Sequence, residues 1–258
     1  MTTTLTAAPA SASRSALELP AVSFFGRTLE EYTRFFDLDL NSLYRLNVLD
    51  VAGGPSSFAA EARRHGIETT AVDPLYAEPV RALSSRVRTD YTRMFAQMRA
   101  KPRLFKLKSF ASINAAETDR RAAARKFLAD YEGNERHARY VRAALPQLPF
   151  LDQSYSLVLC AHLLFLYALR FDYEWHLAAC RELVRVSVRE VRIHPVCGAD
   201  GKPYAELERL RADLAADGIA SEVVRVDYEF FAGAHSMLVL RRDRTLRRPA
   251  VMLAAAAA

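Results

Sequence analysis

The hydrophobic pattern switches repeatedly between short continuous runs and helical spacing. Leu46-Asn47-Val48-Leu49-Asp50-Val51 is apolar, β-branched at two positions and closed by Gly53-Gly54, which predicts a buried strand. Phe58 to His65 follows as a short helix, with Ser56 and Ser57 available as caps and Gly66 as its stop. Ile67 to Asp73 predicts a second strand, ended by Pro74. Strand, turn, helix and strand in under thirty residues make a βαβ unit with parallel strands and a right-handed crossover.

Beyond it, Glu78–Ala100 and Ala115–Tyr131 are rich in Ala, Arg and Leu and predict two helices, separated by Pro102 and the mixed stretch Leu104–Phe110. Arg139–Leu145 predicts a short strand and Tyr155–Cys160 a strong one. Tyr173–Arg185 then reads as helix, Arg189–Ile193 as strand and Tyr204–Ala216 as amphipathic helix. Val223–Val226 and Met237–Leu240 complete the set. The alternation predicts an α/β fold: a Rossmann-like, doubly wound, mostly parallel sheet of about seven strands, the last antiparallel, with a helical insertion after strand two. One domain over 21–245 is expected. Residues 77–137 are its basic insertion, folded as a lid over the pocket mouth, and 1–20 and 246–258 are flexible tails.

Composition narrows the class. The chain has 258 residues, a net charge of +6 and three cysteines, Cys160, Cys180 and Cys197, with no CxxC spacing. Neither a disulfide framework nor a zinc site is suggested, and His65, His137, His176, His194 and His235 show no ligand spacing; no metal site is expected. The longest apolar run, Leu157–Leu169, falls short of the roughly 20 residues of a membrane span. The residues from Met1 lack the pattern of a secretory signal, so cytoplasmic residence is the default expectation. Charge is uneven: residues 77–142 hold 16 Lys or Arg against 7 Asp or Glu. Within them Arg99, Lys101, Arg103, Lys106 and Lys108 interleave with Leu104, Phe105, Leu107 and Phe110. That stretch is either a solvated lid with snorkelling side chains or a contact for an anionic substrate or RNA.

Ligands of an open parallel sheet bind beyond the carboxyl ends of its strands. Three loops qualify. Asp50 to Phe58 carries Ala52, Gly53 and Gly54, where glycine lets backbone approach a ligand. Asp73-Pro74-Leu75 puts a carboxylate at the end of strand two, about 20 residues after Gly53, where it can accept from both hydroxyls of a ribose. Cys160-Ala161-His162 ends the strong central strand. His162 is read either as a site residue that touches the cofactor or takes a substrate proton, or as a hydrogen-bonded core residue. Phe24, Phe25, Tyr32, Phe35 and Phe36 precede the first strand and form either a core-packing helix or a cover.

Leu49-Asp50-Val51-Ala52-Gly53-Gly54-Pro55 resembles the first motif of the class I S-adenosylmethionine-dependent methyltransferases, and Asp73 resembles the ribose-binding acid of that family. Leu148-Pro149-Phe150 with Tyr155-Ser156-Leu157-Val158 resembles its fourth strand and approach, and Glu182–Val186 the helix end before strand five. The chain departs from the family at Ala52 and Ser56, where glycine is usual, at Ala144, near the usual adenine carboxylate, and at Ser156, where aspartate is usual. The proline-cysteine pair of RNA cytosine methyltransferases and the Asn/Asp-Pro-Pro-Tyr-like motif of amino-methylating nucleic-acid enzymes are absent. The resemblance implies S-adenosyl-L-methionine as cofactor, held by Asp50, Ala52, Gly53, Gly54, Asp73, Pro74, Leu75, Cys160 and His162. It also implies methyl transfer to a small molecule, an anionic one being suggested by the basic segment. Methylation of RNA or protein is one alternative. A cofactor-binding domain without transfer is another.

Overall fold

In the computed structural model, residues 16–133 and 139–243 are described. Both tails read from the sequence fall largely outside them. Residues 17–20, read as the end of a tail, are seated: Leu17 is buried and donates its N–H to Ala199 O at 2.8 Å.

The elements in chain order are α1 (Leu29–Phe35), β1 (Asn47–Val51), α2 (Phe58–Ala62, extended by a 3₁₀ turn Arg63–His65), β2 (Glu68–Val72), α3 (Val80–Ala100), α4 (Ile113–Glu132) and β3 (Tyr140–Val141). They continue with β4 (Tyr155–Ala161), α5 (Tyr173–Val186), β5 (Ser187–His194), α6 (Leu207–Ala216), β6 (Ile219–Arg225) and β7 (Ser236–Arg242). The seven strands form one sheet in the order β3-β2-β1-β4-β5-β7-β6. β7 is antiparallel to both its neighbours and the remaining pairs are parallel.

Period-two alternation builds the two layers. Along β4, Leu157, Leu159 and Ala161 face one hydrophobic cluster with Tyr32, Phe58, Tyr91 and Phe127, while Val158 and Cys160 face the other with Leu177, Leu183 and Leu210. The helices α3 and α4 belong to the first layer, contributing Leu83, Tyr91, Phe95, Ala116 and Phe127. Register aligns the strand ends: Val51 pairs with Val72 and Cys160, and Ala161 with His194. The loops after β1, β2, β4 and β5 therefore emerge side by side on one edge.

Local chemistry sets several boundaries. Thr28 and Glu31 form a capping box at α1, each side chain accepting the other's backbone N–H at 3.0 and 3.1 Å. Asp172 caps α5 by accepting from Trp175 N at 2.8 Å. Gly66, at φ +67, ends the turn after α2 in the left-handed region. Of the two serines read as caps for α2, Ser56 Oγ accepts Phe58 N–H at 3.1 Å, whereas Ser57 makes no cap bond and its Oγ is buried without a partner. β6 starts at Ile219, earlier than expected, because pairing with β7 from Ile219↔Arg242 onward overrides the weak pattern of Ala220-Ser221-Glu222.

Candidate cofactor site

The carboxyl edge is roofed by a strap, residues 17–27, that crosses the loop after β1. The strap is tied down mainly by α3. Phe24 N–H donates to Asp90 Oδ2 at 2.7 Å, Gly26 N–H to the Tyr91 hydroxyl at 3.2 Å and Glu18 N–H to Gln97 Oε1 at 2.9 Å. Arg93 donates to Ser23 Oγ, Ser23 N–H donates to the Tyr167 hydroxyl at 3.0 Å, and Arg170 donates to Pro20 O. At its end, Ser57 N–H and Ser56 Oγ both donate to Arg27 O at 3.1 Å.

Gly26 is where strap and turn touch. A Cβ there would lie 2.2 Å from Pro55 O and 2.5 Å from Ser56 N, so a side chain forces one backbone away from the other. Gly26→Ala is expected to lower stability by about 1–3 kcal/mol, the usual cost of overpacking. Urea unfolding measures it, and an unchanged midpoint would contradict the contact.

Two joined cavities lie under the strap. The larger, about 260 Å³, is walled by Val22 and Phe24, by Ala52, Asp73, Pro74 and Leu75, by Ala143–Leu145, and by Leu163, Phe171 and Trp175. The smaller, about 50 Å³, is walled by Phe25, Arg27, Gly54, Met94, Ala161, His162, Leu166 and Tyr167. Val22, Ser23, Ala52, Asp73 and Leu163 line both. A wider cleft of about 460 Å³ lies at the other edge, around Asn47, Glu68 and Thr69. The converging loop chemistry is on the carboxyl edge, so the site is placed there.

Ala52, Gly54, Asp73, Pro74, Leu75 and His162 therefore line the cavities, and three of the sequence-chosen residues do not. Gly53 faces inward, where a Cβ would meet Asp50 Oδ2 and the Tyr76 hydroxyl, each at 2.9 Å; it is glycine because the protein itself fills that space. Asp50 lies beneath the turn, its carboxylate accepting the Tyr32 hydroxyl at 3.1 Å on both oxygens. Cys160 is fully buried in the opposite layer. Gly54, at φ +54, has only Phe25 N and Phe24 Cδ2 near its missing side chain, at 3.8 and 3.9 Å, so its outer face is open.

Electrostatics separate the two acids. Burial pushes Asp50 up to about 8, with the Tyr32 hydrogen bond opposing and the nearby Asp73 adding. Burial also raises Asp73, to about 6; backbone N–H groups of Leu75 and Gly54 oppose the rise by favouring its ionised form, and the Leu75 N–H lies 2.9 Å from Oδ1. Near neutral pH Asp73 is the carboxylate and Asp50 the neutral acid. Ala52 and His162 adopt φ +59 and +55, left-handed conformations that cost a non-glycine residue roughly 1–3 kcal/mol. His162 N–H donates to His194 O at 2.6 Å, which holds that bend. The His162 ring packs edge-on against Phe35 and His194, and its Nδ1 is buried without a partner. Burial holds His162 well below the usual histidine range, so the ring is neutral.

Sequence reasoning passed over Arg27, Trp175 and the strap. Phe24 and Phe25 do belong to a cover, whereas Tyr32, Phe35 and Phe36 are core, so the aromatic cluster divides between the two readings. Its signal was Gly26 between Phe25 and Arg27, a glycine with no turn to explain it. Among the described residues no group of three or more metal-ligating side chains converges, and no helix is long and apolar enough to cross a membrane.

A glycine-bearing turn after β1, an acid after β2 and the order β3-β2-β1-β4-β5-β7-β6 with antiparallel β7 occur together. The chain has the class I methyltransferase fold. No family model matches it. An uncharacterized protein of Methanocaldococcus jannaschii is 29% identical over 227 residues, covering 88% of this chain and 99% of that protein. Among solved structures, magnesium protoporphyrin IX methyltransferase from Synechocystis PCC 6803 with bound S-adenosylmethionine is similar at 14% identity and a TM-score of 0.39, over 78% of this chain and 71% of that one. A putative S-adenosylmethionine-dependent methyltransferase from Methanococcus maripaludis is similar at 11% and 0.43, over 86% and 92%. The 1,6-didemethyltoxoflavin-N1-methyltransferase of Burkholderia thailandensis, bound to 1,6-didemethyltoxoflavin and S-adenosylhomocysteine, is similar at 15% and 0.40, over 77% and 72%.

Proposed function

We propose that the chain is an S-adenosylmethionine-dependent methyltransferase acting on a small molecule. The observation that carries this reading is the place of Asp73, on the wall common to both cavities. A ribose held there directs the base into the larger cavity and the methionine end into the smaller. The residues suit that division. Asp73 is ionised near neutral pH and can accept from two vicinal hydroxyls. Leu75, Leu145, Leu163 and Trp175 offer apolar walls for a flat base, and the open face of Gly54 leaves room beside the sugar and its substituent.

When bound, S-adenosylmethionine supplies a methyl carbon made electrophilic by the sulfonium. The protein's part is to fix the acceptor in line with it and to exclude water. The strap provides the exclusion. His162 provides a neutral ring on the wall of the smaller cavity, and its lone pair can accept a hydrogen bond that orients an acceptor O–H or N–H toward the methyl carbon. Asn tolerates the left-handed backbone of position 162. His162→Asn is therefore expected to keep the melting temperature within a few degrees while turnover falls tenfold or more, about 1.4 kcal/mol. A lower melting temperature with turnover and cofactor affinity retained would make His162 a core residue.

Methylation of RNA or protein is the rival that the basic segment raises. Part of that charge is used internally: Arg99 pairs with Glu117 and bonds Asn114, and Lys101 donates to Ala16 O and Glu18. Arg103, Lys106 and Lys108 stay exposed. Incubating the protein with methyl-labelled cofactor and fractionated cell extract tests the reading. Label is expected in the small-molecule fraction, with S-adenosylhomocysteine formed. Label in RNA or protein would favour the rival, and cofactor binding without turnover would favour a non-catalytic domain.

A further inference from the structure

Behind the smaller cavity lies a buried charge cluster that does not balance. Glu31 is 2% exposed and its oxygens are fully engaged. Arg120 donates to it from Nε at 3.1 and 3.2 Å and from Nη2 at 2.6 Å, the Tyr228 hydroxyl donates at 2.6 Å, and Thr28 N–H donates to Oε2. Arg120 is enclosed, and the Phe230 ring covers its guanidinium at 4.1 Å. That pair matches one carboxylate with one guanidinium, although Arg120 Nη1 is itself buried without a partner.

Arg27 is the second cation. Its Nε approaches Glu31 Oε1 only to 3.9 Å, beyond hydrogen-bond distance, because Arg120 and Tyr228 already occupy that oxygen. Its Nη1 donates to Phe25 O and Gly26 O at 3.0 and 3.1 Å, which orients the group without neutralising it. Nε is buried with no partner, and the side chain is 11% exposed, on the wall of the smaller cavity. A buried guanidinium without a counter-charge is costly, and a planar carboxylate matches its donors. The cavity it faces is the smaller of the two, about 50 Å³, and Gly54 of the turn and Asp73 share its wall.

We propose that Arg27 binds the α-carboxylate of the cofactor's methionine moiety. This rests on the cofactor reading above and adds to it the anchor of the end opposite Asp73. The strap then serves two purposes, roofing the ligand and delivering the one charge that recognises it, since Arg27 O is itself pinned by Ser56 and Ser57.

Calorimetric titration tests it with two ligands, S-adenosylhomocysteine and its decarboxylated form, which keeps the nucleoside, the thioether and the amine. The wild-type protein is expected to prefer the carboxylate form at least tenfold, and Arg27→Met to bind both forms alike. Arg27→Lys, which keeps the charge without the planar fork, is expected to retain part of the preference. It serves with the wild-type comparison if the Met variant does not fold. Equal wild-type affinity for the two ligands would overturn the assignment and leave the cofactor site standing. A full preference in Arg27→Met would give the carboxylate to another group. Failure of the wild-type protein to bind either ligand would overturn the cofactor reading itself, and this inference with it.

Discussion

Glu31→Gln is expected to destabilise the fold by about 3–5 kcal/mol, the range for breaking a buried ion pair from one side. The change leaves Arg120 and Arg27 together in the protein interior with no carboxylate between them. It also removes the charged acceptor of the Tyr228 hydroxyl and weakens the capping box at Thr28. Urea unfolding of Glu31→Gln and of Glu31→Gln/Arg120→Met measures the effect; the double variant should recover part of the loss, because an apolar side chain can replace a matched charge at little cost. A loss under about 1 kcal/mol in the single variant, the size expected of an exposed pair, would show that the network is solvated. The sign of the pH dependence follows. Arg120 and Arg27 hold Glu31 below the usual glutamate range against the opposing cost of burial. Its contribution is thus present above the unfolded value of 4.5 and is lost as pH falls through the folded value, so wild-type stability should drop on acidification below about 4.5 more steeply than that of Glu31→Gln.

Asp73→Ala should weaken S-adenosylhomocysteine binding by about 1–3 kcal/mol, the cost of losing charge-assisted hydrogen bonds to a ribose. Its pH signature is separate from that of Glu31. Asp73 in the free protein titrates at about 6, raised by burial. The ionised form is the better acceptor for two hydroxyls, so wild-type affinity should rise as pH increases through about 6 and level off above it. Asp73→Asn should flatten that rise. Calorimetry from pH 5 to 8 checks both; a wild-type affinity constant across that range, or Asp73→Ala binding as wild type, would remove Asp73 from the ribose.

The first half of the sheet was legible because its determinants are local. The run Leu46–Val51, the glycines after it and the interval to Asp73 are contained in 28 residues, and each constrains the backbone through its own chemistry. Asp73, Pro74 and Leu75 could be placed at the site on that basis. Gly53 and Cys160 could not be placed by the same logic. Which way a loop residue faces depends on a partner elsewhere, here Tyr76 behind Gly53 and the α5 layer over Cys160. The strap was illegible for the same reason at longer range. Its conformation is dictated by Asp90, Tyr91, Gln97 and Tyr167, 65 to 144 residues away from Phe24, Gly26, Glu18 and Ser23. Arg27, just before α1, carries no signal of its own in the sequence. Only the saturation of Glu31 by Arg120, 89 residues on, exposes it as unmatched. The left-handed backbone at His162 had no sequence signal either, since the apolar run Leu157–Leu169 passes through it without a break.

The seating of Gly26 on Pro55 bears on time as well as affinity. Val22 and Ser23 line both cavities and Phe24 the larger one, so lifting of this segment from the glycine turn would open the way for a nucleoside. Each excursion breaks hydrogen bonds at Asp90, Tyr91 and Tyr167 together. The observed association rate should then plateau with ligand concentration at the lifting rate, where an open site would keep rising in proportion at roughly 10⁵–10⁷ M⁻¹s⁻¹, and residence should be long for the equilibrium constant observed. Under the proposed methyltransferase reading, turnover is expected to be paced by departure of the spent cofactor, so that a looser amino-terminal crossing, and not a different chemical centre, would speed it.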